Sequence, residues 1–280
     1  MLDVAILGAG ELGGGLAYTL ARRDLASRIR LIDSTGQVAA GKALDIMQAS
    51  PIAGFSTRVS GSTDITTAAG AAILVVADRA GGNEWEGEDG LLLLKQLSYI
   101  GAGSVVVCAG AAQRDLVERG VAELGYQWQR LFGTAPEALA SAVRALVALE
   151  ANGSVRDVAL TVLGVPPSRT VVPWEEATIG GFAATRVLDE PSRRRLAARV
   201  APLWPPGPYA MAAAAAEAIA CMTGQSRRIV SCFVAPQESG GKRSRTVALP
   251  ARLGAAGVVN VEMPSLSGRA RVALDNAMLL

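Results

Sequence analysis

The sequence predicts an α/β protein: a Rossmann-type doubly wound parallel sheet domain, followed by a domain of α+β character. Three observations predict it. The aliphatic run Val4-Ala5-Ile6-Leu7 leads straight into Gly8-Ala9-Gly10-Glu11-Leu12-Gly13. A second strand is read at residues 29–32, and short apolar runs of the kind buried in a parallel sheet follow at 73–76 and 105–108. Near Gly133 this alternation gives way to long helical stretches and hairpin-like strands.

In chain order, residues 4–7 read as a strand. Residues 12–23 have helical spacing and are rich in alanine and leucine. Residues 29–32 form a second strand that ends at Asp33, and residues 41–48 read as a helix. Strand, helix and strand at this spacing imply βαβ units with right-handed crossovers. Past Gly133, residues 136–150 are a long helix candidate. Residues 158–163 read as a strand ending in Gly164-Val165-Pro166-Pro167. A helical region follows Pro191, another covers residues 209–221, and strands are expected at 229–234, 245–249 and 258–263. The expected division is residues 1–133 and 134–280. Gly81-Gly82-Asn83 and Ser239-Gly240-Gly241 read as loops rather than linkers, and no internal repeat is visible.

Composition narrows the function classes. Half of the 280 residues are hydrophobic, 19% are charged, and the net charge is +2. That balance argues against disorder and against a nucleic-acid partner. Arg193-Arg194-Arg195 and Lys242-Arg243-Ser244-Arg245 are too short to track phosphates and read as a solvated helix face and a loop. Cys108, Cys221 and Cys232 form no CxxC pair and are odd in number, so a reducing compartment is expected. With no histidine in the chain, no zinc site is expected. The alanine-rich stretch 209–222, interrupted by Glu217, is too short and weakly apolar to span a bilayer. The chain opens on a strand with no signal-like segment, and a soluble cytoplasmic protein without a membrane partner is expected.

The glycine segment carries the sharpest functional signal. Gly8 permits a tight turn, Gly10 lets backbone approach a pyrophosphate, and Gly13 lets the helix pack close to the sheet. The amides around Glu11 and Leu12 open a helix whose N-terminus favours an anion. Asp33 lies about 20 residues further on, where an acid accepts hydrogen bonds from an adenosine ribose. Its charge would repel a 2′-phosphate, so NAD(H) is expected over NADP(H). The cofactor-binding set is therefore Gly8, Gly10, Glu11, Leu12, Gly13 and Asp33. The competing reading is a glycine turn with a structural role alone. Glu11 would repel a pyrophosphate unless it points outward.

Further segments resemble the lactate/malate dehydrogenase family. They are Gly41-Lys42-Ala43-Leu44-Asp45-Ile46, Ser154-Val155-Arg156-Asp157-Val158, Val162-Leu163-Gly164, Val171-Val172-Pro173, Tyr209-Ala210-Met211-Ala212-Ala213-Ala214, and Ala248-Leu249-Pro250-Ala251-Arg252-Leu253-Gly254 with Gly257-Val258-Val259. They occur in family order from end to end. The resemblance implies the two-domain fold, NAD as cofactor, and a homo-oligomer, dimer or tetramer, with the helix at 41–48 near a subunit contact.

The chemistry implied by the resemblance is not carried by these residues. Where the family has a His-Gly-Asp segment, this chain has Val165-Pro166-Pro167-Ser168-Arg169. Leu139 and Ala142 stand at the family's paired aspartate and substrate-binding arginine, and Arg144 matches only a second arginine. Ala109 stands near an expected asparagine. The loop that carries arginines in the family here holds Glu84, Glu86, Glu88 and Asp89. A positioned acid/base group contributes about 10²–10⁴-fold, and an acidic loop cannot substitute for a bidentate arginine. No catalytic and no metal-binding residue is assigned. Arg169 is the candidate substrate-anion group, weighed against a plain surface arginine. Cys108 is weighed as a buried structural thiol, and Trp85 as a cap on a pocket or a cation, or as a packing residue. Three functions follow: an NAD(H)-binding pseudoenzyme or sensor; an NAD-dependent oxidoreductase acting on something other than a 2-oxo carboxylate; or a structural partner subunit without cofactor.

Overall fold

A computed structural model describes residues 2–236 and 245–278. The expected loop Ser239-Gly240-Gly241 and the basic residues Lys242, Arg243 and Ser244 lie outside the described residues. The first half contains β1 (Asp3–Leu7), α1 (Glu11–Arg22), β2 (Arg28–Ile32), α2 (Gly36–Ala53), β3 (Arg58–Ser62), β4 (Ile73–Val76), α3 (Gly87–Ile100), β5 (Val105–Cys108), α4 (Arg114–Leu124) and β6 (Leu131–Gly133). It continues with α5 (Ala135–Glu150), β7 (Val158–Ala159), β8 (Leu163–Val165), β9 (Arg169–Val171), β10 (Thr178–Ile179), β11 (Phe182–Ala183), α6 (Ala184–Val187), α7 (Glu190–Ala198), α8 (Pro208–Met222), β12 (Val230–Val234), β13 (Val247–Gly254), β14 (Gly257–Val261) and α9 (Gly268–Met278).

The strands of the first half pair in parallel in the order β3-β2-β1-β4-β5-β6. This is the doubly wound arrangement, and ligands in such sheets bind outside the carboxyl ends of the strands. The sheet then runs on without a break. Phe233 of β12 pairs antiparallel with Gly133 of β6, and β13, β8 and β9 follow. A small separate sheet joins β11, β10 and β7.

The helices form where an apolar stripe meets the sheet. In α1, Leu12, Leu16 and Leu20 are buried with Gly13, Ala17 and Ala21, a spacing of four that puts them on one face. α8 packs alongside, near enough that a Cβ at Gly15 would make an ordinary contact with the Ala212 Cβ at 3.6 Å. The α8 side of that contact is built from Met211, Ala212, Ala215 and Ala216, all buried.

Three elements differ from expectation. The helix expected at 41–48 extends over Gly36–Ala53, carrying Pro51 within its last turn and ending only at Gly54, whose φ of 73° caps it. The acidic segment expected as loop turns helical at Gly87. Glu88 and Asp89 occupy the first turn of α3, where the helix dipole favours acids, and Leu91, Leu93, Leu94 and Leu97 face the core. The strand expected at 158–163 splits between two sheets. Between the pieces, the Leu160 carbonyl accepts from the Arg144 guanidinium, and the Val162 amide donates to the Ser231 hydroxyl. Side chains take those backbone groups out of ladder pairing.

Candidate dinucleotide cleft

At the carboxyl ends of β1, β2 and β4, the chain folds its glycine turn against Asp78, two residues past β4. Gly8 has φ 116°, and a Cβ there would overlap the Asp78 carbonyl. The Gly10 amide donates to that carbonyl at 2.9 Å. A Cβ at Gly13 would overlap the Gly8 carbonyl oxygen. Glycine is thus required for the turn, for backbone approach and for helix packing. Leu12 is buried beneath the turn, whereas Glu11 is exposed at the start of α1 and lines the cleft over the turn.

The helix N-terminus already holds an anion from within the chain. Asp78 accepts from the Gly13 amide at 2.8 Å and from the Leu12 amide at 3.1 Å, and is 7% exposed. Gly10 supplies no side chain to cap α1, so Asp78 caps it across the sheet. Asp33 is also consumed by backbone. It accepts from Ala9 at 2.8 Å, Ala80 at 2.8 Å and Thr35 at 2.9 Å. Burial works to raise its pKa, but these donors together outweigh it and hold the carboxyl below its ordinary value.

A cleft of about 640 Å³ opens over this turn, lined among others by Ala9, Gly10, Thr35, Lys42, Gly81 and Met211. Lys42, reaching across from α2, donates to the Gly10 carbonyl at 2.6 Å. Glu84 forms the far wall. Its carboxylate accepts from the Ala112 and Ala111 amides at 2.8 and 3.0 Å, just past β5, and desolvation raises its pKa despite them. The next residue, Trp85, lies under the Arg79 guanidinium, 4.7 Å from the ring centroid. A smaller cavity of about 360 Å³ lies between Asp33, Ser34, Trp85 and Leu93.

The structure brings Gly8, Gly10, Glu11, Leu12, Gly13 and Asp33 together at one end of the sheet. It does not bring Arg169 there. Arg169 opens β9 and donates to the Asn276 carbonyl in α9 at 2.9 Å. Pro166, Pro167 and Ser168 form the tip of the tight β8–β9 hairpin, closed by pairing of Val165 with Arg169. On α5, Leu139 is fully buried. Arg144 is committed to Glu137 at 2.7 Å and to the Leu160 carbonyl. Cys108 is fully buried, and burial drives its thiol pKa far up, the opposite of a reactive thiolate. Among the described residues, no three acidic or sulfur side chains gather as a metal site, and no helix is long and apolar enough to cross a membrane.

Sequence reasoning missed Asp78, Lys42 and the inward role of Glu84. An acid directly after a fully apolar central run was the available signal for Asp78. Lys42 stands in the segment 41–46 already singled out by resemblance.

Glycine turn, cleft and second-strand acid fit a dinucleotide, and the Asp78 carboxylate at the α1 amides is the one element that does not. Fold and cleft thus define a dinucleotide-binding α/β protein. Residues 2–100 match the family described as lactate/malate dehydrogenase, NAD binding domain. The chain is 27% identical to the malate dehydrogenase of Thermomicrobium roseum over 98% of this chain and 94% of that protein. It is 29% identical to that of Thioalkalivibrio sulfidiphilus over 94% and 92%. Among solved structures, malate dehydrogenase from Salinibacter ruber superposes with a TM-score of 0.86 at 24% identity, covering 99% of this chain and 94% of that one. The lactate dehydrogenase of Cryptosporidium parvum, complexed with lactic acid and the nicotinamide dinucleotide, gives 0.88 at 18% identity, covering 99% and 95%. Residues 2–100 carry the NAD-binding domain described for that family, and the chain is similar to malate dehydrogenases over nearly its whole length.

Proposed function

We propose that this chain is an NAD(H)-binding member of the lactate/malate dehydrogenase family that has lost 2-oxo acid reduction and serves as a sensor or pseudoenzyme. The carrying observation is the missing proton relay. The chain has no histidine, and the hairpin tip that should present one is Pro166-Pro167-Ser168. Reduction of a carbonyl needs a proton donor at its oxygen, and no titratable side chain stands in that tip. NAD supplies hydride chemistry when bound. In this chain Gly8, Gly10 and Gly13 would admit its pyrophosphate, Leu12 would donate a backbone amide, and Asp33 would face the adenosine ribose.

A substrate other than a 2-oxo carboxylate would draw on the acidic segment, and Glu84, Glu88 and Asp89 of its four acids have partners within the chain. Glu84 is bonded to Ala111 and Ala112, Glu88 to Arg119 at 2.8 Å, and Asp89 lies 3.6 Å from Arg79. We place the functional division at residue 134, after the last parallel strand. We also propose a homo-oligomer through α2, which exposes Leu44 (60%) and Ile52 (92%). The three unpaired thiols suit a reducing, cytoplasmic setting. The test combines NADH titration by calorimetry with assays of pyruvate and oxaloacetate reduction. Saturable NADH binding without turnover is expected, and turnover of either acid would overturn the proposal. Sedimentation would show whether Leu44→Glu dissociates the oligomer.

A further inference from the structure

We infer that Asp78 is a resident anion of the cofactor cleft: its carboxylate holds the α1 amides that a dinucleotide's diphosphate takes, so cofactor binding requires residues 78–86 to withdraw. The inference rests on the dinucleotide-binding reading above and deepens it.

Four observations carry it. The Asp78 carboxylate bonds Leu12 and Gly13, the amides that open α1. These donors, with the helix dipole behind them, form the natural seat of a phosphate in this fold. Second, a Cβ at Gly10 would overlap both the carboxyl carbon and an oxygen of Asp78. The space that glycine keeps clear is filled by the chain's own acid. Third, among the described residues Asp78 has no cationic partner. The cleft's cation, Lys42, is turned to the Gly10 carbonyl at 2.6 Å. A diphosphate arriving beside a fixed Asp78 would meet a like charge at hydrogen-bond range, whereas one that displaced it would inherit both amides and Lys42. Fourth, the segment closes on itself as a hairpin, and its withdrawal breaks the Gly10 amide bond to the Asp78 carbonyl and the Ala80 amide bond to Asp33. Asp78 and Glu84 pair as an isolated bridge, and Glu84 docks separately on Ala111 and Ala112. Gly81, Gly82 and Gly87 hold positive φ values of 108°, 94° and 57° around it.

Asp78 and Glu84 therefore act together as an internal competitor. Asp78 covers the diphosphate seat and Glu84 the amides after β5. Lys42 is the cation that a bound diphosphate would pair with once Asp78 has left.

The experiment uses the full chain, titrated by calorimetry with NADH and separately with ADP. Asp78→Asn keeps the shape and one acceptor for α1, and Asp78→Ser also removes bulk; thermal melts verify that each is folded. Asp78→Asn is expected to bind both ligands at least about tenfold more tightly than wild type, and Lys42→Met about tenfold less tightly. A folded Asp78→Asn that binds no better than wild type overturns the inference while leaving the dinucleotide reading intact. A gain for ADP with no NADH binding by any form removes the dinucleotide reading and leaves Asp78 as the occupant of a diphosphate seat. No binding of either ligand by any form removes both. Deuterium exchange on wild type adds a readout that needs no variant. Saturating NADH is expected to increase uptake across residues 78–86, and binding with that segment unchanged overturns the inference.

Discussion

Two sets of buried carboxylates divide the molecule. In the second half, Glu137 bonds the Arg144 guanidinium at 2.7 Å and the Ser231 amide at 2.8 Å, tying α5 to β12. In the cleft, Asp33 and Asp78 are as deeply buried, at 4% and 7% exposed, and both are satisfied by backbone amides. A carboxylate paired with arginine is fixed by charge. One held by amides at the mouth of a cleft occupies donors that an incoming anion can also use. The first arrangement ties two elements together by charge, and the second is the one that the proposed displacement of Asp78 draws on.

The largest effect should come from breaking the paired set. Glu137→Ala strands a buried guanidinium and is expected to cost about 3–5 kcal/mol in urea unfolding. Replacing both partners, Glu137→Leu with Arg144→Met, should cost less than that single change. Asp33→Ala comes next, at about 2–3 kcal/mol, because it orphans buried amides. Its pH signature follows from the lowered carboxyl. The folded state binds that proton less readily than the unfolded chain does. The contribution is therefore present above the ordinary value of 3.8 and is lost as pH falls through the lower folded value. The gap between wild type and Asp33→Ala should close in acid.

Glu84 has the opposite sign. Its raised carboxyl means that the folded state binds the proton more readily. Its contribution is greatest below the ordinary value of 4.5 and declines as pH rises through the folded value. Glu84→Gln is expected to match wild type or exceed it by up to about 1 kcal/mol at neutral pH, with a flatter stability profile on the acid side. A loss at neutral pH as large as that of Asp33→Ala would show Glu84 held in place as firmly as Asp33. The smallest effect is expected for Arg169→Ala. This exposed residue bonds a carbonyl in α9, and stability should change by about 0.5 kcal/mol or less, with NADH affinity unmoved.

Much of this was legible in the sequence because it depends on local pattern. Ile73–Val76 and Val105–Cys108 form strands with the expected bounds, since four apolar residues in a row, mostly β-branched, suit the buried middle of a parallel sheet. The glycine turn was legible because each glycine answers a separate steric demand. What escaped depends on long-range pairing. Asp78 meets Leu12 and Gly13 across more than sixty residues of chain, and no periodicity reports such a contact. The split of the 158–163 segment escaped for the same reason, because Arg144 and Ser231 reach it from α5 and β12.

The most direct test follows NADH absorbance in a solution of purified protein already shown by calorimetry to bind NADH, after addition of oxaloacetate or pyruvate. The expected result is saturable binding and no acid-dependent loss of NADH above the protein-free blank. NADH consumption that scales with protein concentration would contradict it, and would mean that this cleft finds its proton without a histidine.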